Sequence, residues 1–155
     1  MSGSPRHDAR CVALQALYEL DCTGHTLADV MAQRLADRPL PDEVRPFAYQ
    51  LVNGVLAHHE QLDGLLQEYA PEWPIDQIAI VDRNILRMAI LEIAVANSAP
   101  LRVAINEAVE LAKTFGADAS PRFINGVLGS LAANMGAIKA VFATQEIAED
   151  PSSSS

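Results

Sequence analysis

Residues 78–96 constrain the fold more than any other stretch of the chain. Ile80, Val81, Ile85, Leu86, Ile90 and Ile93 spread apolar side chains around most of a helix, and only Asp82, Arg83, Arg87 and Glu92 interrupt them. A helix that is apolar nearly all round has no solvent face, so it must lie at the centre of other helices. Charges break the stretch well short of the ~18–20 uninterrupted apolar residues of a membrane span, and no window of the chain approaches such a run. A central helix needs a sheath, and the rest of the sequence supplies one.

Ala and Leu dominate, Pro, Gly and Asp punctuate, and alternating strand patterns are absent, which is the grammar of an all-α protein. The first helix covers about residues 7–21 and stops before Thr23-Gly24. Thr26 caps the second, which ends near Arg38-Pro39. Asp42 or Glu43 opens the third, with Pro46 in its first turn and Phe47, Leu51 and Val55 as its buried row. The fourth, about residues 60–69, is broken by Pro71 and Pro74. The central helix is the fifth, and Asn97-Ser98-Ala99-Pro100 ends it. The sixth covers about residues 103–115, with Gly116 as its left-handed C-terminal residue. Ser120 caps the seventh and Pro121 takes its first position, ahead of the row Ile124, Val127, Leu128 and Leu131.

Short loops make neighbours antiparallel, so helices one to three form one bundle and four to seven a second. Residues 1–5 are expected to be disordered, 6–136 to form the domain, and 137–155 to add a loose helical extension and a disordered acidic and Ser-rich tail. Close helix packing is the expected reason for Gly54, Gly64, Gly126 and Gly129.

The net charge is −9, which by itself disfavours a polyanionic partner. Its distribution changes that reading. Residues 60–82 hold Glu60, Asp63, Glu68, Glu72, Asp76 and Asp82 with no base, whereas residues 113–139 hold Lys113, Arg122 and Lys139 against Asp118 alone. A basic protein can dock on the first segment and a polyanion on the other; alternatively, the acids serve only solubility. Cys11 and Cys22 cannot make a disulfide framework and read as buried reduced thiols. The first ten residues lack the apolar core of a signal peptide, so a cytoplasmic location is expected.

Enzyme signatures are missing. The four histidines lack metal-ligand spacing, and there is no nucleophile elbow, phosphate loop or dinucleotide fingerprint. No catalytic residue, metal or cofactor is expected. Three constellations remain. Arg6 and Arg10 share a helix face, with Gln15 and Tyr18 further along; the set can grip phosphates and stack on a base, or it is a solvated face with a core Tyr. Lys113, Arg122 and Phe123 form the second. At 100° per residue Phe123 falls at the margin of the seventh helix's buried stripe and Arg122 nearly opposite it, so Phe123 is either a stacking platform or an edge-of-core ring. Trp73, between prolines and acids, either anchors a protein partner or plugs a gap between bundles.

The words of the sequence add to this. VDRNILRMAILEIAV (residues 81–95), VAINEAVELAKTFGADASPRFINGVLGSL (103–131) and ARCVALQALYELD (9–21) resemble the NusB family in order and spacing, from about residue 9 to residue 134. The resemblance implies a fold of two packed helical bundles and a non-enzymatic role in transcription antitermination. It implies pairing with the ribosomal protein NusE, binding of the single-stranded boxA element of ribosomal RNA leaders, and action with other Nus factors on RNA polymerase. By this resemblance Arg6, Arg10, Gln15, Tyr18, Arg122 and Phe123 correspond to RNA contacts, and Asp76 and Asp82 to NusE-facing acids. His7 and Asp8 interrupt the denser arginine run of some relatives, and Ala119 stands where an acid is common. Two other roles fit such a domain: an accessory RNA-binding part of a ribosomal RNA methyltransferase, or a self-associating homodimer that covers its RNA surface.

Overall fold

The computed structural model describes residues 4–149. Among the described residues eight α-helices follow one another: α1 Pro5–Cys22, α2 Leu27–Asp37, α3 Arg45–Ala57, α4 His59–Tyr69, α5 Ile80–Ile90, α6 Leu101–Phe115, α7 Ser120–Ala132 and α8 Met135–Glu149. A 3-10 turn at Ile75–Gln77 precedes α5, and α5 runs on into a π-helical turn at Leu91–Val95. Among the described residues there is no strand, and no single helix is long and apolar enough to cross a membrane.

Local chemistry sets the boundaries. The Ser4 hydroxyl accepts from the His7 amide at 3.1 Å, and Pro5 starts α1 where its missing N–H is harmless. Helix therefore begins inside the segment expected to be disordered; residues 1–3, and 150–155 of the expected tail, lie outside the described residues. Thr26 caps α2 through the Asp29 amide at 3.2 Å. The expected loose extension is a full helix, because Ile138 and Phe142, one turn apart, are 2% and 1% exposed. Burying a side chain of this size contributes about 1.5–3 kcal/mol, which outweighs the weak apolar pattern of the rest of α8.

Helix α5 is central. It packs on α1, α3, α4, α6 and α7, while α2 and α3 flank α1, and α6 pairs with α7. Its charges are buried too. Glu92, 2% exposed, takes two hydrogen bonds from Arg10, from Nε at 2.9 Å and from Nη2 at 2.8 Å. Arg87, 4% exposed, donates to both oxygens of Asp63 on α4 at 2.7 and 2.9 Å, and to Asp21 at the end of α1 at 3.2 Å. Asn84 reaches the same Asp21 oxygen at 2.9 Å. Helix α1 is thus pinned antiparallel to α5 at both ends, and this fixes the side chains it carries between the pins.

Gly116 departs from expectation. Its φ of −95° and ψ of −175° are extended, not left-handed. Glycine is needed there because a Cβ would meet the Ser120 side chain at 2.6 Å and the Ala112 carbonyl oxygen at 2.8 Å. Close packing holds for Gly54, whose Cβ would strike Leu91, but not for Gly64, Gly126 or Gly129, where a Cβ would meet nothing within 4 Å. Cys11 is buried and Cys22 is exposed, so only one thiol matches the expected burial.

Candidate nucleic-acid interface

Two grooves flank the N-terminus of α5. The first, of about 510 Å³, lies between α1, α2 and the end of α6, and is lined by Gln15, Tyr18, Arg34, Val81 and Phe115 among others. The second, of about 260 Å³, is lined by Trp73, Ala79, Asp82, Ser120 and Phe123. Val81 and Asp82 are consecutive, and Phe115 and Ala117 are two residues apart, so one ridge separates the grooves. A third hollow of about 240 Å³ continues past Trp73 and Phe123 to Arg122 and Gly126.

The sequence-derived residues fall into three groups. Gln15 and Tyr18 on one side of the ridge, and Phe123 and Arg122 on the other, belong to one continuous surface. Tyr18 is 44% exposed, Phe123 half-buried and Arg122 exposed with no ion pair among the described residues. Lys113 is exposed in the last turn of α6 and lies 3.2 Å from Glu110. Arg6 stands apart at the start of α1. Its Nη2 donates to the Ser98 carbonyl at 3.2 Å, and its guanidinium sits 3.8 Å from the Phe47 ring centre.

Arg10 requires a correction. It is 3% exposed, its fork is spent on Glu92, and it lies 5.1 Å from the centre of the same Phe47 ring. Arg6 and Arg10 do share a face, but only Arg6 stays exposed; Arg10 is buried and offers nothing to a phosphate. The acidic segment is also smaller than its composition suggests. Asp63 is engaged by Arg87, and Asp82 is only 8% exposed, so the open acids are Glu60, Glu68, Glu72 and Asp76.

Trp73 is 52% exposed, so it is a surface ring and not a plug. Phe115 and Ser120 were missed as groove residues. The Ser120 hydroxyl accepts from the Ala117 amide at 2.9 Å and shapes the turn between α6 and α7.

Asp82 is the electrostatic anomaly of the site. Its Oδ1 is buried without a hydrogen-bond partner. Burial pushes its carboxyl above the ordinary range, and a hydrogen bond with Ser120 only partly offsets this. A carboxyl held above its unfolded pKa binds its proton more tightly when folded. Stability from this group is therefore greatest below the unfolded pKa and is lost as pH rises through the raised folded one. Asp82→Asn should accordingly be more stable than the parent chain in chemical denaturation at neutral pH. The gain should vanish as pH falls below the usual carboxylate range; a loss of stability at pH 7 would show that the carboxylate is satisfied after all.

Comparison with known proteins decides what this surface belongs to. The profile of the NusB family matches residues 7–133. The chain belongs to the NusB family. It is 48% identical over 126 residues to the transcription antitermination protein NusB of Dehalococcoides mccartyi (strain ATCC BAA-2266), covering 81% of this chain and 88% of that one. It is 43% identical to the protein of that name from Bacillus subtilis (strain 168), over 81% and 93% of the two chains. The solved NusB of T. maritima superposes with a TM-score of 0.76 at 28% identity, over 85% and 93%. The fold is also that of a chain in a complex of the antitermination factors NusB and NusE with double-stranded RNA, with a TM-score of 0.73 at 24% identity, over 88% and 97%. The relatives it matches carry the name transcription antitermination protein.

Proposed function

We propose that this NusB-family chain binds single-stranded RNA of the boxA type in ribosomal RNA leaders together with the ribosomal protein NusE, and so supports antitermination with other Nus factors and RNA polymerase. One observation carries the reading: the exposed rings of Tyr18 on one side and Trp73 on the other, with the half-buried Phe123, border two adjoining grooves beside Arg122, which has no ion pair among the described residues. Rings of this kind stack on unpaired bases, and a guanidinium beside them holds a phosphate. Lys113 adds positive charge nearby, and Arg6 a further exposed cation apart from the grooves at the start of α1. A complex of NusB and NusE with double-stranded RNA, one chain of which shares this fold, supports NusE as a partner and RNA as the class of ligand. The exposed acids Glu60, Glu68, Glu72 and Asp76 suit a cationic ribosomal protein. Asp82 is not part of that open face.

The test is equilibrium binding to a fluorescent boxA strand at two salt concentrations, with and without NusE. About three phosphate contacts give a logarithmic salt slope near −2 for the chain alone, and a tighter complex with NusE. Phe123→Ala is expected to lose about 1–3 kcal/mol of RNA affinity without loss of helicity. Unchanged binding in that variant removes Phe123 from the interface, and no binding at low salt with NusE present refutes the function.

A further inference from the structure

We infer that Gln67 is a positioning residue: its side-chain amide clamps the loop between α4 and α5 and so holds Trp73 as an anchor for the cationic protein partner. The inference rests on the pairing with NusE proposed above and names the residue that readies this chain for it. The loop leaves the core at Ala70, 2% exposed, and returns at Ile78, 5% exposed; of residues 71–77 all but the half-buried Ile75 are exposed. Pro71 and Pro74 have no N–H to donate, so the loop cannot brace itself with a regular ladder. Its own backbone bonds run from the Trp73 amide to Ala70 at 3.2 Å, from Gln77 to Pro74 at 2.8 Å and from Ile78 to Ile75 at 3.3 Å. These leave the Trp73 carbonyl and the Ile75 amide unheld.

Gln67 takes both. From an exposed position on α4 its Nε2 donates to the Trp73 carbonyl at 2.9 Å, and its Oε1 accepts from the Ile75 amide at 3.0 Å. One side chain thus grips the backbone on either side of Pro74. One partner is an acceptor and the other a donor, which a carboxamide matches and a carboxylate does not. Arg83 braces the loop from α5, with Nη1 donating to the Ile75 carbonyl at 3.0 Å. The neighbours of Trp73 say what it is held for. Glu72 and Asp76 are exposed on the same loop, Glu68 is exposed beside Gln67 on α4, and residues 70–78 carry no base. Open carboxylates repel phosphates and attract Lys and Arg. Indole rings are enriched among the residues that dominate protein interfaces, and their faces attract cations. Trp73 then belongs to the protein side of the surface described above, with Phe123 and Arg122 on the RNA side.

The experiment uses the full chain, NusE and point variants. Trp73 is the only tryptophan, so its emission in the chain alone reports this loop and nothing else. Gln67→Ala is expected to add a fast component to the time-resolved fluorescence anisotropy of Trp73. Thermal stability should stay close to the parent's, because exposed hydrogen bonds contribute little and Ala is a good helix former. NusE affinity should fall about tenfold, the cost of fixing one loose residue again on binding. Gln67→Glu separates positioning from charge. It adds a negative charge on the face that meets a cationic partner, yet sets a carboxylate against the Trp73 carbonyl, and should weaken binding as well. Trp73→Ala should cost about tenfold or more, and in that background Gln67→Ala should cost no more than about twofold further, since its effect runs through the ring. The inference is overturned if the anisotropy of Gln67→Ala is unchanged, if its NusE affinity equals the parent's, or if Gln67→Glu binds more tightly. It is also overturned if Gln67→Ala weakens RNA binding while NusE affinity holds, which would give the ring to RNA. A parent chain that does not bind NusE removes the pairing and the inference together, whereas binding indifferent to Gln67 removes the inference alone.

Discussion

Arg10→Ala is expected to destabilise the chain by about 3–5 kcal/mol in urea denaturation at neutral pH, a large part of the roughly 5–15 kcal/mol that holds a domain together. The reason lies with the partner left behind. Glu92 is 2% exposed, and without the Arg10 fork its carboxylate keeps only the Ser98 hydroxyl, 3.4 Å away. A buried charge deprived of its counterion costs far more than the intact pair contributes, because its desolvation is no longer offset. The asymmetry gives a second arm to the experiment. Arg10→Met combined with Glu92→Leu removes both charges and keeps apolar volume, and should recover most of the loss. RNA affinity of that double variant should match the parent, since Arg10 has no fork to spare for phosphate. A stable double variant that binds RNA tenfold more weakly would return Arg10 to the interface.

Arg87→Ala should cost about 3 kcal/mol, the lower end of the same range. Its partners set the discount. Asp63 and Asp21 keep side-chain exposures of 21% and 28%, so water partly solvates them once the guanidinium is gone. Arg87 ties α4 and the end of α1 to α5 at once, through Asp63 and Asp21. Amide exchange in α4 should therefore accelerate together with the fall in global stability. Arg87→Lys keeps the charge but loses the planar fork that meets both Asp63 oxygens, and should lie between Arg87→Ala and the parent. Equal stability of the Lys variant and the parent would mean that charge alone, without the two-point geometry, holds this junction.

These two arginines mark where the sequence could be read and where it could not. Helical periodicity is local, so the position of Phe123 at the edge of a buried stripe follows from counting 100° per residue, and the ring is indeed half-buried. The centrality of α5 follows equally from its own residues. What its charges do does not follow, because Glu92 finds its partner 82 residues away and Arg87 finds Asp63 24 residues away. The signal was present in a weaker form: a helix with no solvent face cannot leave charges unpaired, so Asp82, Arg87 and Glu92 had to be either paired or functional. Arg6 and Arg10 show the complementary limit. Their spacing places them on one face, yet nothing local says that Arg10 is buried while Arg6 stays exposed, both against Phe47 from α3. Helix α8 was underestimated because two anchoring residues, Ile138 and Phe142, outweigh an otherwise unremarkable stretch.

A rod that is greasy on every side could turn about its axis, or slip by a turn within its sheath, and still bury almost as much oil. The polar pins on α5 remove that freedom. Rotation would drag Glu92 away from the Arg10 guanidinium that neutralises it, and slippage would part Arg87 from Asp63 and Asp21 at the same moment. Hydrophobic collapse thus makes this domain compact, while two buried charge clusters at opposite ends of one contact choose a single alignment among near-equivalent ones. The aromatic rings on either side of the α5 ridge inherit their spacing from that choice.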